Sequence, residues 1–311
     1  LGAYPDIAAQ VAWNALAQTS ARKTIVAETK QRGSGWSIGL VMRLYSFLGY
    51  KFSYYLMYPV TFFYFIFAAN IKEALKIYYA HLSLPFNNKV YYKHLRIFAV
   101  CMLDRFVSRI DPGSYTYEYD DSDTPIKILS NASVLLQSHF GGWAASSNSV
   151  RVDNKLNIVM NEAMLDRIKQ VEEKVDFKKN IHIIDLNQGM ISVSVQIANA
   201  LSNNEIVALM GDRAANKKSK IEIDFLGEPA AFNKSPFQIA YKMGNPILVY
   251  FVILAGMQKY KIEYLKIELD QSKEEEDAIL EALGTYTSLY EKIVRKYPEQ
   301  WFNLYDFWGE K

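Results

Sequence analysis

Cysteine is nearly absent. Cys101 stands alone among 311 residues, which excludes a disulfide framework and a cysteine-rich zinc site. Histidine is sparse as well: His81, His94, His139 and His182 lie far apart in sequence, so no metal is expected. Charge is modest, with 22% of residues ionisable as Asp, Glu, Lys or Arg, and the net charge of +2 gives no ground for a nucleic-acid partner. There is no P-loop, no dinucleotide fingerprint and no Gly-x-Ser-x-Gly nucleophile elbow. No resident cofactor is therefore expected, and a lipase or esterase is disfavoured. No internal repeat, low-complexity tract or cleavable signal peptide is visible.

Apolar residues are plentiful instead. Half the chain is hydrophobic, which excludes a disordered protein. Aromatics reach 14%, led by 22 Tyr and 17 Phe, and Tyr favours places where one end is apolar and the other wet. Charge is distributed unevenly. Between Trp36 and Arg109 nine basic residues face only Glu73 and Asp104. The same stretch contains Phe52 to Ala69, 18 residues without a charge. A spanning helix needs about 20 predominantly apolar residues, and this run carries Pro59 and several tyrosines. It reads as a helix lying on or dipping into a membrane, its basic flanks meeting anionic headgroups. The alternative is a buried core helix with solvated flanking charges.

Three regions follow from the patterning. Residues 1–31 are rich in alanine and read as one amphipathic helix after Pro5, either a leader, a tag or the end of a preceding segment. Residues 32–111 are helical and membrane-associated, with breaks at Leu84-Pro85 and at Asp111-Pro112-Gly113. Residues 112–311 form an α/β domain. There, after an acidic loop from Glu118 to Asp123, short β-branched runs alternate with helical stretches. Strands are expected at Ile126–Leu129, Ser133–Leu136, Leu156–Met160, Ile181–Ile184, Ile206–Met210, Ile221–Phe225, Ile247–Leu254 and Tyr260–Ile267. Helices are expected at Glu162–Lys174, Gln188–Leu201, Ser235–Met243 and Lys273–Lys296. The fold class is α/β, a mixed central sheet flanked by helices and preceded by a helical membrane-binding region.

Two strand ends carry candidate chemistry. The first is Ser133–Leu136 followed by Gln137-Ser138-His139-Phe140-Gly141-Gly142-Trp143. Active sites of open α/β sheets lie at the carboxyl ends of strands. A histidine there can serve as a general base. Gly141 and Gly142 allow close approach and offer N–H groups to an oxyanion, unless His139 is only a satisfied core histidine. The second is Ile206–Met210 followed by Gly211-Asp212-Arg213. Arg213 opens a basic loop with Lys217, Lys218 and Lys220, and its guanidinium suits a phosphate or an oxyanion. The alternative is a structural Asp212–Arg213 pair. A third stretch, Ile223 to Phe232, reads as a strand running into a turn and then the helix starting near Ser235-Pro236.

These pieces occur together in a known order. The His139-Phe140-Gly141-Gly142-Trp143 step, Gly211-Asp212-Arg213, the stretch Phe225 to Phe232, Asn245-Pro246-Ile247 and the run from Gln300 to Trp308 resemble the lysophospholipid acyltransferase superfamily. The branch is the one related to the secondary acyltransferases of lipid A biosynthesis. Arg32-Gly33-Ser34 and Leu103-Asp104-Arg105 are similar to its amino-terminal part.

The resemblance implies a bacterial inner-membrane enzyme on the cytoplasmic face, peripheral or with a single anchor. It would move a fatty acyl chain from acyl carrier protein or coenzyme A to a hydroxyl or amine of a membrane lipid. It also implies a histidine followed, after four residues, by Asp or Glu. His139 fills the first position as base, while Ala144 stands at the second. Arg213 joins His139 and Ala144 in the implied catalytic set. Gly141, Gly142, Trp143, Asp212 and Phe232 form the implied substrate-binding set. Three readings of Ala144 stay open at this level: an inactivating substitution, another carboxylate such as Asp212 serving instead, or a member rebuilt around alanine. A catalytically silent lipid-binding protein with the same fold is the competing function. If the carboxylate is simply missing, Ala144→Glu or Ala144→Asp should raise acyl transfer.

Overall fold

The computed structural model describes residues 35–149, 152–160, 180–214 and 219–309. The run Ile247–Leu254 is apolar at every position, so a strand made from it must be covered on both faces. It forms β8 (Ile247–Gly256). Val249, Phe251 and Ile253 enter one core cluster with Val134, Leu136, Val207 and Leu209. Leu248, Tyr250 and Val252 enter another with Ile206, Tyr260 and Ile262. Full burial of each such aliphatic or aromatic side chain contributes about 1.5–3 kcal/mol relative to exposure.

The other strands are β1 (Thr116–Tyr119), β2 (Ser133–Gln137), β3 (Leu156–Met160), β4 (Ile181–Asp185), β5 (Ile206–Met210), β6 (Lys220–Phe225), β7 (Glu228–Asn233) and β9 (Lys259–Ile267). A seven-stranded sheet runs in the order β1-β9-β8-β2-β5-β3-β4. Strands β8, β2, β5, β3 and β4 are mutually parallel, β9 is antiparallel to β8, and β1 is parallel to β9. The sheet is thus mixed. β6 and β7 form a separate antiparallel hairpin.

Helices α5 (Met190–Ser202), α6 (Ser235–Met243) and α7 (Glu275–Lys296) flank the sheet. Each buries one stripe at helical spacing. In α7 that stripe includes Ile279, Leu283, Tyr286, Tyr290 and Val294. Glu275, Glu276 and Asp277 in its first turn, with Arg295 and Lys296 in its last, complement the helix dipole.

The amino-terminal layer consists of α1 (Gly35–Phe67), α2 (Ala69–His81) and α3 (Asn88–Ile110). Gly49 kinks α1 with φ 73°, a conformation that glycine adopts without the Cβ clash of other residues. Ala68 separates α1 from α2, and its carbonyl, which accepts from the N–H of Ile71, also accepts from the Tyr91 hydroxyl at 2.9 Å. The Asn87 side chain caps α3 by accepting from the N–H groups of Lys89 and Val90. Helix α3 packs on α1 and on the turns Pro112–Ser114, Trp143–Asn148 and Pro298–Gln300. It therefore links α1 to the turn that follows β2. One side of α1 is left apolar and open to solvent: Phe47 is 85% exposed, Phe62 56%, Phe63 60% and Phe67 69%. No single described helix is long and apolar enough to cross a membrane. The segment Arg43–Phe67 with α2, bent by 89°, reaches that length and composition only as a pair.

Several expectations change. Ile126–Leu129 is not a strand but the end of a helix, α4 (Asp123–Leu129). Asp123 in its first turn and Pro125 near its start favour a helix over the β-branched bias. Glu118 belongs to β1 rather than to an acidic loop. The tyrosines on either side of it reach inward, Tyr117 donating to the Ala145 carbonyl at 2.9 Å and Tyr119 to that of Ser149. The stretch Phe225 to Phe232 does not run straight to a helix. It turns back at Leu226 and Gly227, both at positive φ, into β7, as a tight hairpin turn requires. Residues 1–31 and the expected helix Glu162–Lys174 lie outside the described residues.

Candidate active site

Strands β2 and β5 are parallel neighbours, with Gln137 paired to Met210. Two residues beyond each partner stand His139 and Asp212. The register therefore delivers both side chains to one height above the carboxyl edge of the sheet, the usual place for an active site in this architecture.

The two are in direct contact. His139 Nδ1 lies 2.9 Å from Asp212 Oδ2 and 3.0 Å from Oδ1. The main-chain N–H of His139 donates to Oδ2 as well, at 3.0 Å. An ionised carboxylate only accepts, so Nδ1 carries the ring proton and Nε2 the lone pair. His139 is 3% exposed and Asp212 is wholly buried, yet His139 Nε2 has no hydrogen-bond partner among the described residues. A buried polar atom left without a partner calls for a specific reason.

The electrostatics suit a base. Burial, and then the nearby Arg213 charge, hold the His139 pKa below its usual value, with Asp212 opposing them. Burial works to raise the Asp212 carboxyl, but its contacts with His139 and the Arg213 charge outweigh that and hold it below the carboxylate range. At neutral pH the pair is a neutral imidazole beside a carboxylate.

Ala144 does not lack a partner; it sits in an apolar cluster with Ile97, Cys101, Trp143 and Phe302. Since Asp212 already occupies Nδ1, the ring needs no second carboxylate from position 144. Trp143 stands edge-on to His139, with ring centroids 5.5 Å apart.

The glycines act differently from the sequence expectation. Gly141 N–H donates to the Gln300 carbonyl at 2.8 Å, and Gly142 N–H to that of Val252 at 2.7 Å. Both donors are engaged in the fold and are not available to an oxyanion. The need for glycine is steric: at Gly141, φ is 54° and a Cβ would lie 2.1 Å from the Val252 carbonyl oxygen.

Arg213 is anchored beside the pair. Its Nη2 donates to the Phe302 carbonyl at 3.1 Å, and the guanidinium lies over the Tyr305 ring at 5.0 Å. Its Nε is 4.0 Å from Asp212 Oδ2 and has no hydrogen-bond partner among the described residues. Lys217 and Lys218 lie outside the described residues. Phe232 is fully buried in an aromatic core with Phe225, Tyr286 and Phe307.

The sequence reading missed a strap formed by residues 300–302. Phe302 N–H donates to the His139 carbonyl at 2.9 Å. The Gln300 amide bridges the Leu254 N–H and carbonyl at 2.8 and 3.0 Å. Only the Gln-Trp-Phe signature hinted at it. His94 is a core histidine, its Nε2 2.9 Å from the Trp301 carbonyl oxygen, and burial lowers its pKa to about 4. Among the described residues no cluster of His, Cys, Asp or Glu is arranged to hold a metal ion.

Residues 129–309 match the family model described as bacterial lipid A biosynthesis acyltransferase. No curated protein matches the chain.

Proposed function

The chain belongs to the bacterial lipid A biosynthesis acyltransferase family, and we propose that it moves a fatty acyl chain from an acyl carrier protein or coenzyme A thioester to a hydroxyl or amine of a membrane lipid. The observation that carries this reading is His139 itself: one ring nitrogen bound to Asp212, the other buried without a partner. In this reading Nε2 removes the acceptor proton as the acceptor oxygen or nitrogen attacks the thioester carbonyl. Asp212 fixes the tautomer and balances the imidazolium that forms. The carbon–sulfur bond then breaks, and the departing thiolate takes the proton from Nε2. Products are the acylated lipid and the free thiol of the carrier.

Arg213 stands beside the pair, its Nε 4.0 Å from Asp212 Oδ2. Its Nε–H is suited to the developing oxyanion or to a phosphate of the donor. The open aromatic side of α1, together with the basic surplus of the amino-terminal region, suits an anionic bilayer on the cytoplasmic face of the inner membrane. The silent lipid-binding alternative rests on Ala144, and the contact of Asp212 with the ring supports the enzymatic reading over it.

The test is acyl transfer from long-chain acyl donors into a bacterial lipid extract, followed by mass spectrometry. Transfer by the wild type that disappears in His139→Ala is expected. Equal product from both proteins would overturn His139 as base.

A further inference from the structure

Asp104 is a fully buried carboxylate that the chemistry above leaves unused. It accepts three phenolic hydrogen bonds, from Tyr50 at 2.7 Å, Tyr115 at 2.9 Å and Tyr260 at 2.6 Å. The donors come from three places: Tyr50 from α1, Tyr115 from the turn before β1, and Tyr260 from β9. Asp104 itself stands on α3. A carboxylate offers two acceptor oxygens with about four lone-pair sites, so it can hold all three at once, which no neutral side chain of the same size can.

Tyr260 is the one that reaches the site. Its ring lies against Gly142, so close that a Cβ at that residue would be 2.3 Å from Tyr260 Cε1. The rings of Tyr115 and Tyr117 stack near Tyr260, with centroids 6.3 and 5.9 Å away. These neighbours fix the plane of the ring, and Asp104 fixes it along its length. Gly142 is three residues from His139, in the turn whose N–H groups are pinned to Val252 and Gln300. The turn is therefore clamped between the Tyr260 ring on one side and the strap of residues 300–302 on another.

We propose that Asp104 and Tyr260 are positioning residues for the catalytic turn: Asp104 tethers the Tyr260 ring against Gly142, and the ring sets the place of His139 relative to its substrates. The kinetic consequence rests on the acyl-transfer reading. The placement of His139 does not, and it can be read separately.

The experiment compares Tyr260→Phe, Tyr260→Leu and Asp104→Asn in the full chain. Phe keeps the ring on Gly142 but cuts the tether, whereas Leu removes both. Turnover and KM for an acyl thioester are measured together with the NMR resonance of the His139 Nδ1 proton, which senses its distance from Asp212. A small displacement of a catalytic group far exceeds in rate what it costs in stability, so Tyr260→Phe should lower kcat by about tenfold with KM within about twofold. Tyr260→Leu should lower kcat further, Asp104→Asn should resemble Phe, and the His139 resonance should move in each. Folded Tyr260→Phe protein with wild-type kcat and an unmoved His139 resonance would overturn the proposal, whether or not the Leu variant folds. A wild type without any transferase activity would remove the function proposed above and leave the His139 resonance to decide this one.

Discussion

Asp212 holds His139 twice, by its main-chain N–H at 3.0 Å and by its ring Nδ1 at 2.9 Å. One carboxylate thus sets both where the residue sits and which ring nitrogen stays basic. The double grip comes from strand register, since each residue lies two positions past the Gln137–Met210 pair.

Replacing that carboxylate by its neutral isostere keeps the shape and removes the charge. Asp212→Asn should lower acyl-transfer turnover by between about 10² and 10⁴ fold, in protein that circular dichroism shows to be folded. Wild-type turnover in this variant would make the pair a structural contact only.

The pH profile follows from the pKa directions. The base must be neutral, and burial with the Arg213 charge holds His139 below its ordinary value. That ordinary value is about 6.5, so kcat/KM should be flat through neutrality and fall only as pH drops below that point. Arg213→Ala removes a cation that disfavours the imidazolium, so the acid limb should move to higher pH, alongside weaker use of the donor. An acid limb that stays in place would show that Arg213 does not act on His139.

A carboxylate at position 144 should act opposite to what the family spacing alone implies. A carboxylate there would be buried among Ile97, Cys101, Trp143 and Phe302, facing a ring already partnered by Asp212. Ala144→Glu should therefore destabilise the fold, on the order of 3 kcal/mol for an uncompensated buried charge, and give no gain in turnover. Urea unfolding and the transfer assay together read both effects.

The aromatic side of α1 predicts membrane attachment. Phe62→Asp with Phe63→Asp changes two exposed side chains, so folding should hardly change. Losing two inserted phenylalanines should weaken vesicle binding at least about tenfold. Flotation with phosphatidylglycerol vesicles measures this, and added salt should weaken wild-type binding by screening. Equal flotation of the double variant would place the membrane contact elsewhere.

Much of this was legible in the chain. The continuous apolar run at Ile247–Leu254 read as a strand and forms β8, and glycine after a strand marked the neighbourhoods of both His139 and Asp212. Their pairing was not legible from the spacing to Ala144, because the partner comes from a neighbouring strand. Strand register, which a single sequence does not display, decides it. Helix α4 was hidden by Ile126, Ile128 and Leu129, whose β-branched and apolar character outweighed Asp123 and Pro125 in the local reading. Phe232 looked functional by its place in the motif, but the hairpin turn at Leu226-Gly227 folds it into the aromatic core. Asp104 was visible only as part of Leu-Asp-Arg, since its three tyrosines come from distant segments.

The strap of residues 300–302 has a consequence for the order of events in biosynthesis. His139 belongs to the middle of the chain, yet its carbonyl is held by Phe302 and the adjoining glycine by Gln300. Contacts so distant in sequence form late, after the loop between them has closed. A nascent chain still lacking Gln300 to Phe302 has β2 and its histidine but not the anchored turn. The base is thus set in place only when translation has passed the strap, so an unfinished polypeptide carries the histidine without the turn that anchors it.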